Sequence, residues 1–423
     1  QGAKAAGQAR PTGRQAGASD RDRSARSAAA GCCCGFGELA DPARRLFETV
    51  VGLGAVRPIV EGRARTCAEA VREMEPYLIG KDPTCIEDHW EKMYRDSFWV
   101  GGPLATTPLS AVEIALWDIV GQSLGVPIYK LIGGPTRERV PVYCHCAAGA
   151  TPEEFADNAV ACVQRGYRAL KVTLPLFYGG QRNVKVAGQS ERPNFGYSGT
   201  WGEIDRSLKE TELLPPDVYR RIAAFFAAAR EAVGPDIHLM VDCHGRFGPA
   251  DAIKLGHALE DLRLLFFEEP CPPENVEAIT RVSRALKTPV ATGERLLGRH
   301  GFWEVLKQHA VAVVQPDITN AGGIAETKKI AAMAEVGYMN VAPHNPNGAI
   351  AIAQNAHLAA SIPNFLILET IGSPDFLAAC DETMAAPLAI RDGYLELPTG
   401  PGWGIDPDLA AVARHPYRPP AHF

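Results

Sequence analysis

The sequence predicts a parallel (β/α)8-type barrel. Three observations lead there. From Val140 onward, eight short β-rich runs alternate with helical segments, the pattern of parallel βα units. One ionisable residue recurs at the end of run after run, with the period of a βα unit. No G-x-G-x-x-G follows a first strand, which weakens the alternative of an open doubly wound sheet.

The bulk properties exclude several classes. With 423 residues and 46% hydrophobic side chains, the chain can bury a large core and has the length of two or three domains. A net charge of −6 argues against nucleic acid as the main partner. No apolar run approaches the ~18–20 residues of a membrane helix, so no membrane span is expected. The eleven cysteines are scattered apart from Cys32-Cys33-Cys34, and none has zinc-site spacing. They are expected to be mostly buried thiols in a reducing, cytoplasmic compartment.

Residues 1–35 are rich in Ala, Gly, Arg and Gln and have almost nothing to bury. Disorder is the expectation. Their Arg-rich, acid-poor composition has a faint likeness to an organelle transit peptide. Next come "TCAEAVREMEPYLIG" and "CIEDHWEKMYRDSFW", both with helical spacing, then "PLSAVEIALWDIVGQSLG", a long apolar-faced helix ending at Gly125. The strands are "VPVYCHC", "YRALKVT", "IHLMVD", "RLLFFEE", "PVATGE", "VAVVQPD", "YMNVAP" and "FLILET". The helices between them include "TPEEFADNAVACVQRG", "PPDVYRRIAAFFAAAREAVG", "NVEAITRVSRALK" and "AETKKIAAMAEVG".

Asp242, Glu268 and Glu294 are spaced by 26 residues. Asp317 follows after 23, His344 after 27 and Glu369 after 25. Lys171 ends the second strand, 71 residues before Asp242. That connection, residues 174–215, exceeds what a barrel needs and is expected to be a lid. Its Tyr178, Tyr197 and Trp201 are either lid contacts or ordinary loop packing.

In a barrel these strand ends converge on one face. Charges there are costly unless paired or metal-bound. Residues two apart on a strand share a side, so Asp242 and His244 of "VDCHGR" should both lean over the mouth. Three carboxylates from successive strands make an all-oxygen site suited to Mg²⁺. Each residue also has a plainer explanation. Asp242 could cap a helix. Glu268-Glu269-Pro270 could be a strand exit with one Glu solvated. His344 could be a turn histidine, and Lys171 could snorkel. The shared period makes joint coincidence the poorer explanation. Alternation splits Cys144-His145-Cys146 across both strand faces, so core thiols are expected rather than a metal site.

The motifs "SAVEIALWDIVGQSLGVPIYKLIGG", "VDCHGRF", "FFEEP", "ATGER", "QPDITNAGGI", "APHNPNG" and "PGWGIDPD" resemble the enolase superfamily, mandelate racemase-like branch. The likeness runs from about Ile59 to Asp406. "DCHGR" is similar to acid-sugar dehydratases acting on aldonates such as galactonate, mannonate or gluconate. The resemblance implies an α+β capping domain from 58–138 with 385–423, and a catalytic barrel of (β/α)7β form over 139–384. Residues 1–57 are atypical for it, either a replaced terminus or a misread frame, with "CGFGE" a displaced remnant of the usual hairpin. It further implies Mg²⁺ on Asp242, Glu268 and Glu294, with a small acid sugar as ligand. His344 would be the base, oriented by Asp317, and His244 the acid. Glu369 would bond the enediolate oxygen, which requires it to be protonated or paired. Arg246 would bind substrate or form a salt bridge. Lys171 is a further catalytic or substrate-binding candidate. A homo-oligomer is expected. Two departures stand out. Thr173 replaces the second lysine of a K-x-K pair, and Thr319-Asn320 stands where the galactonate group has Ser-His. A racemase or epimerase of the same fold and a catalytically decayed homologue are the alternatives.

Overall fold

The computed structural model describes residues 64–96, 98–177 and 214–414. The N-terminal calls on residues 1–57, and Tyr178, Tyr197 and Trp201 of the expected lid, lie outside them.

The described chain opens with helices. They are α1 (Ala64–Glu73), α2 (Glu75–Leu78), α3 (Ile86–Arg95), α4 (Pro103–Leu124) and α5 (Ile128–Leu131). Gly125, at φ 67°, ends α4 in the left-handed region, as its position after the apolar run predicts. α4 is the one described helix long and apolar enough to cross a membrane, which corrects the expectation that no segment would be. Its apolar window is 72% buried within the protein, so it serves here as a core helix.

Eight parallel strands follow. They are β1 (Arg139–His145), β2 (Ala169–Thr173), β3 (His238–Asp242), β4 (Phe267–Glu268), β5 (Val290–Thr292), β6 (Val313–Val314), β7 (Asn340–Val341) and β8 (Leu368–Thr370). Each pairs with the next through β7, and β8 pairs with β1. A parallel bridge between Val341 and Phe365 joins β7 to the approach of β8, so the barrel closes. The intervening helices are α6 (Pro152–Gln164), α7 (Val218–Val233), α8 (Pro249–Leu259), α9 (Val276–Ala285), α10 (Gly298–Lys307), α11 (Ile324–Val336) and α12 (Ala349–Ser361). An eighth helix, α13 (Pro374–Glu382), follows β8 and buries Cys380, so the last strand is not the end of the repeat.

Inward positions form a small core of Tyr143, Ala169, Met240, Phe266, Ala291, Val313, Ala342 and Ile367. Alternation then places the next inward residue of each strand one layer higher, toward the mouth. That layer holds His145, Lys171, Asp242, Glu268, His344 and Glu369. The larger apolar core lies between strands and helices, where outward residues such as Leu170, Val241 and Phe267 pack.

The C-terminal segment touches both parts. Hairpin β9 (Ile390–Arg391) and β10 (Tyr394–Glu396) pairs antiparallel with the start of β1. Beyond it, Trp403 N–H donates to Asp118 of α4 at 2.9 Å. α4 also holds the barrel directly. Buried Glu113 accepts from Ile324 N–H at 2.8 Å and Ala325 N–H at 2.9 Å, at the open end of α11. A Cβ on Gly323 would lie 2.0 Å from the same carboxylate, so only glycine permits this approach.

Candidate active site

The carboxylates of Asp242, Glu268 and Glu294 meet at the barrel mouth, with ligand atoms all within 4.8 Å of one another. Burial and then the Asp242 charge push the Glu268 carboxyl well above its usual range, and burial chiefly raises Glu294. Burial also opposes the Asp242 carboxylate, but His244 and Lys171 hold it below the usual value. Oε2 of Glu294 is buried without a hydrogen bond. Three crowded hard-oxygen ligands, one of them lacking a donor, fit a divalent cation.

Lys171 is fully buried among these acids. Its Nζ lies 2.8 and 3.0 Å from the two oxygens of Glu268, 2.8 Å from Glu369 and 3.5 Å from Asp242. Burial works against the ammonium, but Glu268 and Glu369 outweigh it and raise the lysine well above its ordinary value.

Opposite lies His344. Its Nδ1 is 2.9 Å from Asp317 Oδ2, and its Nε2 is 3.3 Å from Glu294 Oε2. Burial opposes its charge, yet Glu294, Glu369 and Asp317 push the imidazole up to about 10. The other oxygen of Asp317 is taken by Thr319, through N–H at 2.8 Å and hydroxyl at 2.6 Å. Thr319 thereby fixes which oxygen faces the histidine, a role that the strand-end period did not indicate.

The strand argument for His244 needs correction. β3 ends at Asp242, and His244 adopts φ 48° in a turn, so strand alternation does not extend to it. The turn itself brings the ring over: Nε2 lies 3.0 Å from Asp242 Oδ2, while His244 N–H bonds Oδ1 at 3.0 Å. Arg246 is buried on the same turn, its N–H on the Cys243 carbonyl at 3.0 Å.

Glu369 is paired, not protonated. It bonds Lys171, the ring of His145, and Asn345 N–H at 2.6 Å. Burial disfavours its charge, but Lys171 and then His344 hold it well below the usual range. His145 is the residue that sequence reasoning missed. It was placed with core thiols, yet alternation on β1 sends Cys144 and Cys146 outward and the imidazole into the mouth. The plainer alternative for Glu268-Glu269, a strand exit with one Glu solvated, does not hold. Glu268 faces the mouth, while Glu269, equally buried, bonds Thr292 and takes Arg295 Nε at 2.8 Å.

All eight strands therefore contribute polar side chains to one mouth, with the three clustered acids beside a His–Asp pair. Two family profiles match this architecture: Mandelate racemase / muconate lactonizing enzyme, N-terminal domain, over residues 45–133, and Enolase C-terminal domain-like, over 154–411. The chain belongs to the enolase superfamily. Within it, the chain is 35% identical to D-galactonate dehydratase of Ralstonia pickettii, across 86% of this chain and 87% of that one. It is 37% identical to D-galactonate dehydratase of Pectobacterium atrosepticum, across 76% and 75%. Among solved structures, an enolase-superfamily member from Salmonella Typhimurium superposes with a TM-score of 0.73 at 30% identity, covering 83% of this chain and 87% of its own. A mandelate racemase/muconate lactonizing enzyme from Sulfitobacter sp. gives 0.72 at 34% identity, covering 84% of each. The enolase-superfamily resemblance read from the motifs is thus established.

Proposed function

We propose that the chain is a Mg²⁺-dependent dehydratase of aldonates, removing the proton alpha to the carboxylate and then the 3-hydroxyl to give a 2-keto-3-deoxy acid. The observation that carries this reading is the His344–Asp317 pair facing the Asp242, Glu268 and Glu294 cluster. The curated relatives named as galactonate dehydratases support it.

Bound Mg²⁺ supplies positive charge for the substrate carboxylate and for the charge that develops on it. His344 takes the alpha proton on Nε2, while Asp317 on Nδ1 holds the tautomer and stabilises the imidazolium. Its basic pKa reflects the surrounding carboxylates, and a cation at Glu294 would make the neutral imidazole easier to reach. His244, beside Asp242 on the metal side, protonates the departing hydroxyl. Glu369 is an anion, so it does not donate to the enediolate. It accepts from the His145 ring and from Lys171, and the lysine ammonium is the positive donor at that end of the mouth. Arg246 is assigned to the substrate's polar tail.

A racemase would need a second base opposite His344. Lys171 is tied to Glu268 and Glu369 and held protonated, and Thr173 stands at the other lysine position. Both facts favour elimination over inversion. The test is a panel of aldonates and aldarates, with metal-stripped and Mg²⁺-restored protein, assayed for keto-acid formation. Keto acid from an aldonate, abolished by EDTA and restored by Mg²⁺, is expected. Inversion without loss of water would establish the racemase reading. No turnover of any acid sugar would establish a decayed homologue.

A further inference from the structure

The sixth strand carries a second inward polar residue below Asp317. Val313 belongs to the inner core and Val314 to the outer one. The ladder runs one residue further: Gln315 N–H donates to the Thr292 carbonyl at 2.9 Å, and Ala342 N–H to the Val314 carbonyl at 3.0 Å. Alternation therefore turns the Gln315 side chain inward, into the layer that holds Lys171, Asp242, Glu268 and His344. Gln315 is fully buried.

Neither end of this amide has a hydrogen-bond partner among the described residues. Three other buried amides anchor one end each. Asn345 Nδ2 donates to the Glu369 carbonyl at 3.2 Å and Asn355 Nδ2 to the Ala351 carbonyl at 2.9 Å, while Asn320 Oδ1 accepts from the Thr107 hydroxyl at 2.7 Å. The surroundings of Gln315 explain the difference. The inner-core residues of β5, β6 and β7 are Ala291, Val313 and Ala342, none with a polar side-chain atom. One layer higher, two residues past Ala291, the fifth strand places Gly293, which has no side chain to offer. A buried donor and acceptor left unmet are costly, and native interiors seldom keep them without a use. β6 lies between β5 and β7, so this amide sits on the strand between those that carry Glu294 and His344.

We propose that Gln315 binds the 2-hydroxyl of the substrate and so selects 2-hydroxy acids. A glutamine amide offers an acceptor oxygen and a donor NH₂. A carboxylate would leave Oε1 unmet, and an ammonium would leave Nε2 unmet. A hydroxyl donates and accepts, so a single hydroxyl completes both ends. Position then picks the hydroxyl. The inference rests on the proposed dehydratase reading, in which the substrate carboxylate lies at Asp242, Glu268 and Glu294 and His344 takes the alpha proton. The alpha carbon spans from one to the other in front of β6, and the hydroxyl it carries is the 2-hydroxyl. Across this strand His344 Nε2 lies 3.3 Å from Glu294 Oε2. A substrate seated between these two groups parts them and reaches the amide.

The experiment reads binding without turnover. A six-carbon 3-deoxy aldonate has no 3-hydroxyl to lose, so its equilibrium binding to the full-length protein with Mg²⁺ is measured by calorimetry. The second probe is the 2,3-dideoxy acid of the same length. The parent should bind the 2-hydroxy acid about 10- to 100-fold more tightly, because the dideoxy acid leaves the amide unmet. Gln315→Met keeps the side-chain length and removes both polar atoms, and in it that ratio should shrink by about tenfold or more. In EDTA without ligand, Gln315→Met should melt no lower than the parent, since an apolar group of similar shape replaces an unmet amide at little cost. An unchanged ratio in Gln315→Met would overturn the proposal, and a melting temperature well below the parent's would then mark the amide as structural. Equal binding of the two acids to the parent would also overturn it, and this arm needs no variant, so misfolding of Gln315→Met does not protect it. Binding of neither acid would overturn the dehydratase reading and this subsite with it, whereas binding of both alike overturns the subsite alone.

Discussion

The Lys171 ammonium stands 2.8 Å from Glu369 Oε1 and 2.8 Å from Glu268 Oε1, so one buried cation is shared between the ends of β8 and β4. With Asp242 at 3.5 Å, it is the main fixed positive charge facing the acidic cluster.

Removing that cation leaves buried carboxylates unpaired. Breaking a buried ion pair from one side typically costs ~3–5 kcal/mol. Lys171→Met should therefore be destabilised by about that much in EDTA, as read from denaturant unfolding. Mg²⁺ should recover more stability in the variant than in the parent, because the ion supplies missing positive charge. Equal stability of variant and parent in EDTA would show that Lys171 does not balance the cluster.

The two histidines should separate in an exchange experiment. His344→Asn should lose both dehydration and exchange of the alpha proton with D₂O. His244→Asn should lose dehydration but still exchange that proton, because only departure of the hydroxyl is blocked. Acid or base assistance is typically worth ~10²–10⁴-fold, so either loss is measurable. The opposite pattern, exchange retained only in His344→Asn, would reverse the roles.

His145 is predicted to position Glu369. His145→Phe keeps the ring volume but leaves one buried carboxylate oxygen short of a donor, a cost of ~1–3 kcal/mol, or roughly 10–100-fold if it falls on the transition state. The loss should appear in kcat, with Mg²⁺ affinity little changed, and His145→Gln should recover part of it. An unaltered kcat in His145→Phe would remove His145 from the site.

Two buried groups away from the mouth should tilt stability in opposite directions with pH. His357 accepts Tyr129 N–H on Nδ1 at 3.1 Å, and its Nε2 lies 3.0 Å from the Trp403 carbonyl. The neutral ring satisfies both contacts, and burial lowers it to about 4 from an ordinary 6.5. The unfolded chain then binds the extra proton between those values, so this contribution is lost as pH falls from 6.5 toward 4. Glu113 is raised by burial from 4.5 to about 7. Its contribution is complete below 4.5 and is lost as pH rises toward 7. Each limits the slope to about 1.4 kcal/mol per pH unit. Between 4.5 and 6.5 the two should largely cancel in the parent. His357→Gln should make stability fall with rising pH, and Glu113→Gln should make it rise. Curves displaced without a change of slope would contradict both assignments.

The barrel was legible because each βα unit announces itself locally. A β-branched run, a polar strand end and an amphipathic helix recur with one period, and Asp242, Glu268, Glu294, Asp317, His344 and Glu369 could be located from that period alone. Gly125 marked the end of α4 for an equally local reason, since a left-handed residue is needed there. What the tertiary structure decided involves partners far apart in the chain. His145 meets Glu369 across 224 residues, and Glu113 meets Ile324 across 211. The ionised state of Glu369 and the divergence of Glu268 from Glu269 both depend on which strands become neighbours and which face each side chain takes. His244 shows the boundary between the two. Its nearness to Asp242 was legible, but a turn at positive φ, rather than strand alternation, puts it there, and a turn's backbone is set by the packing around it.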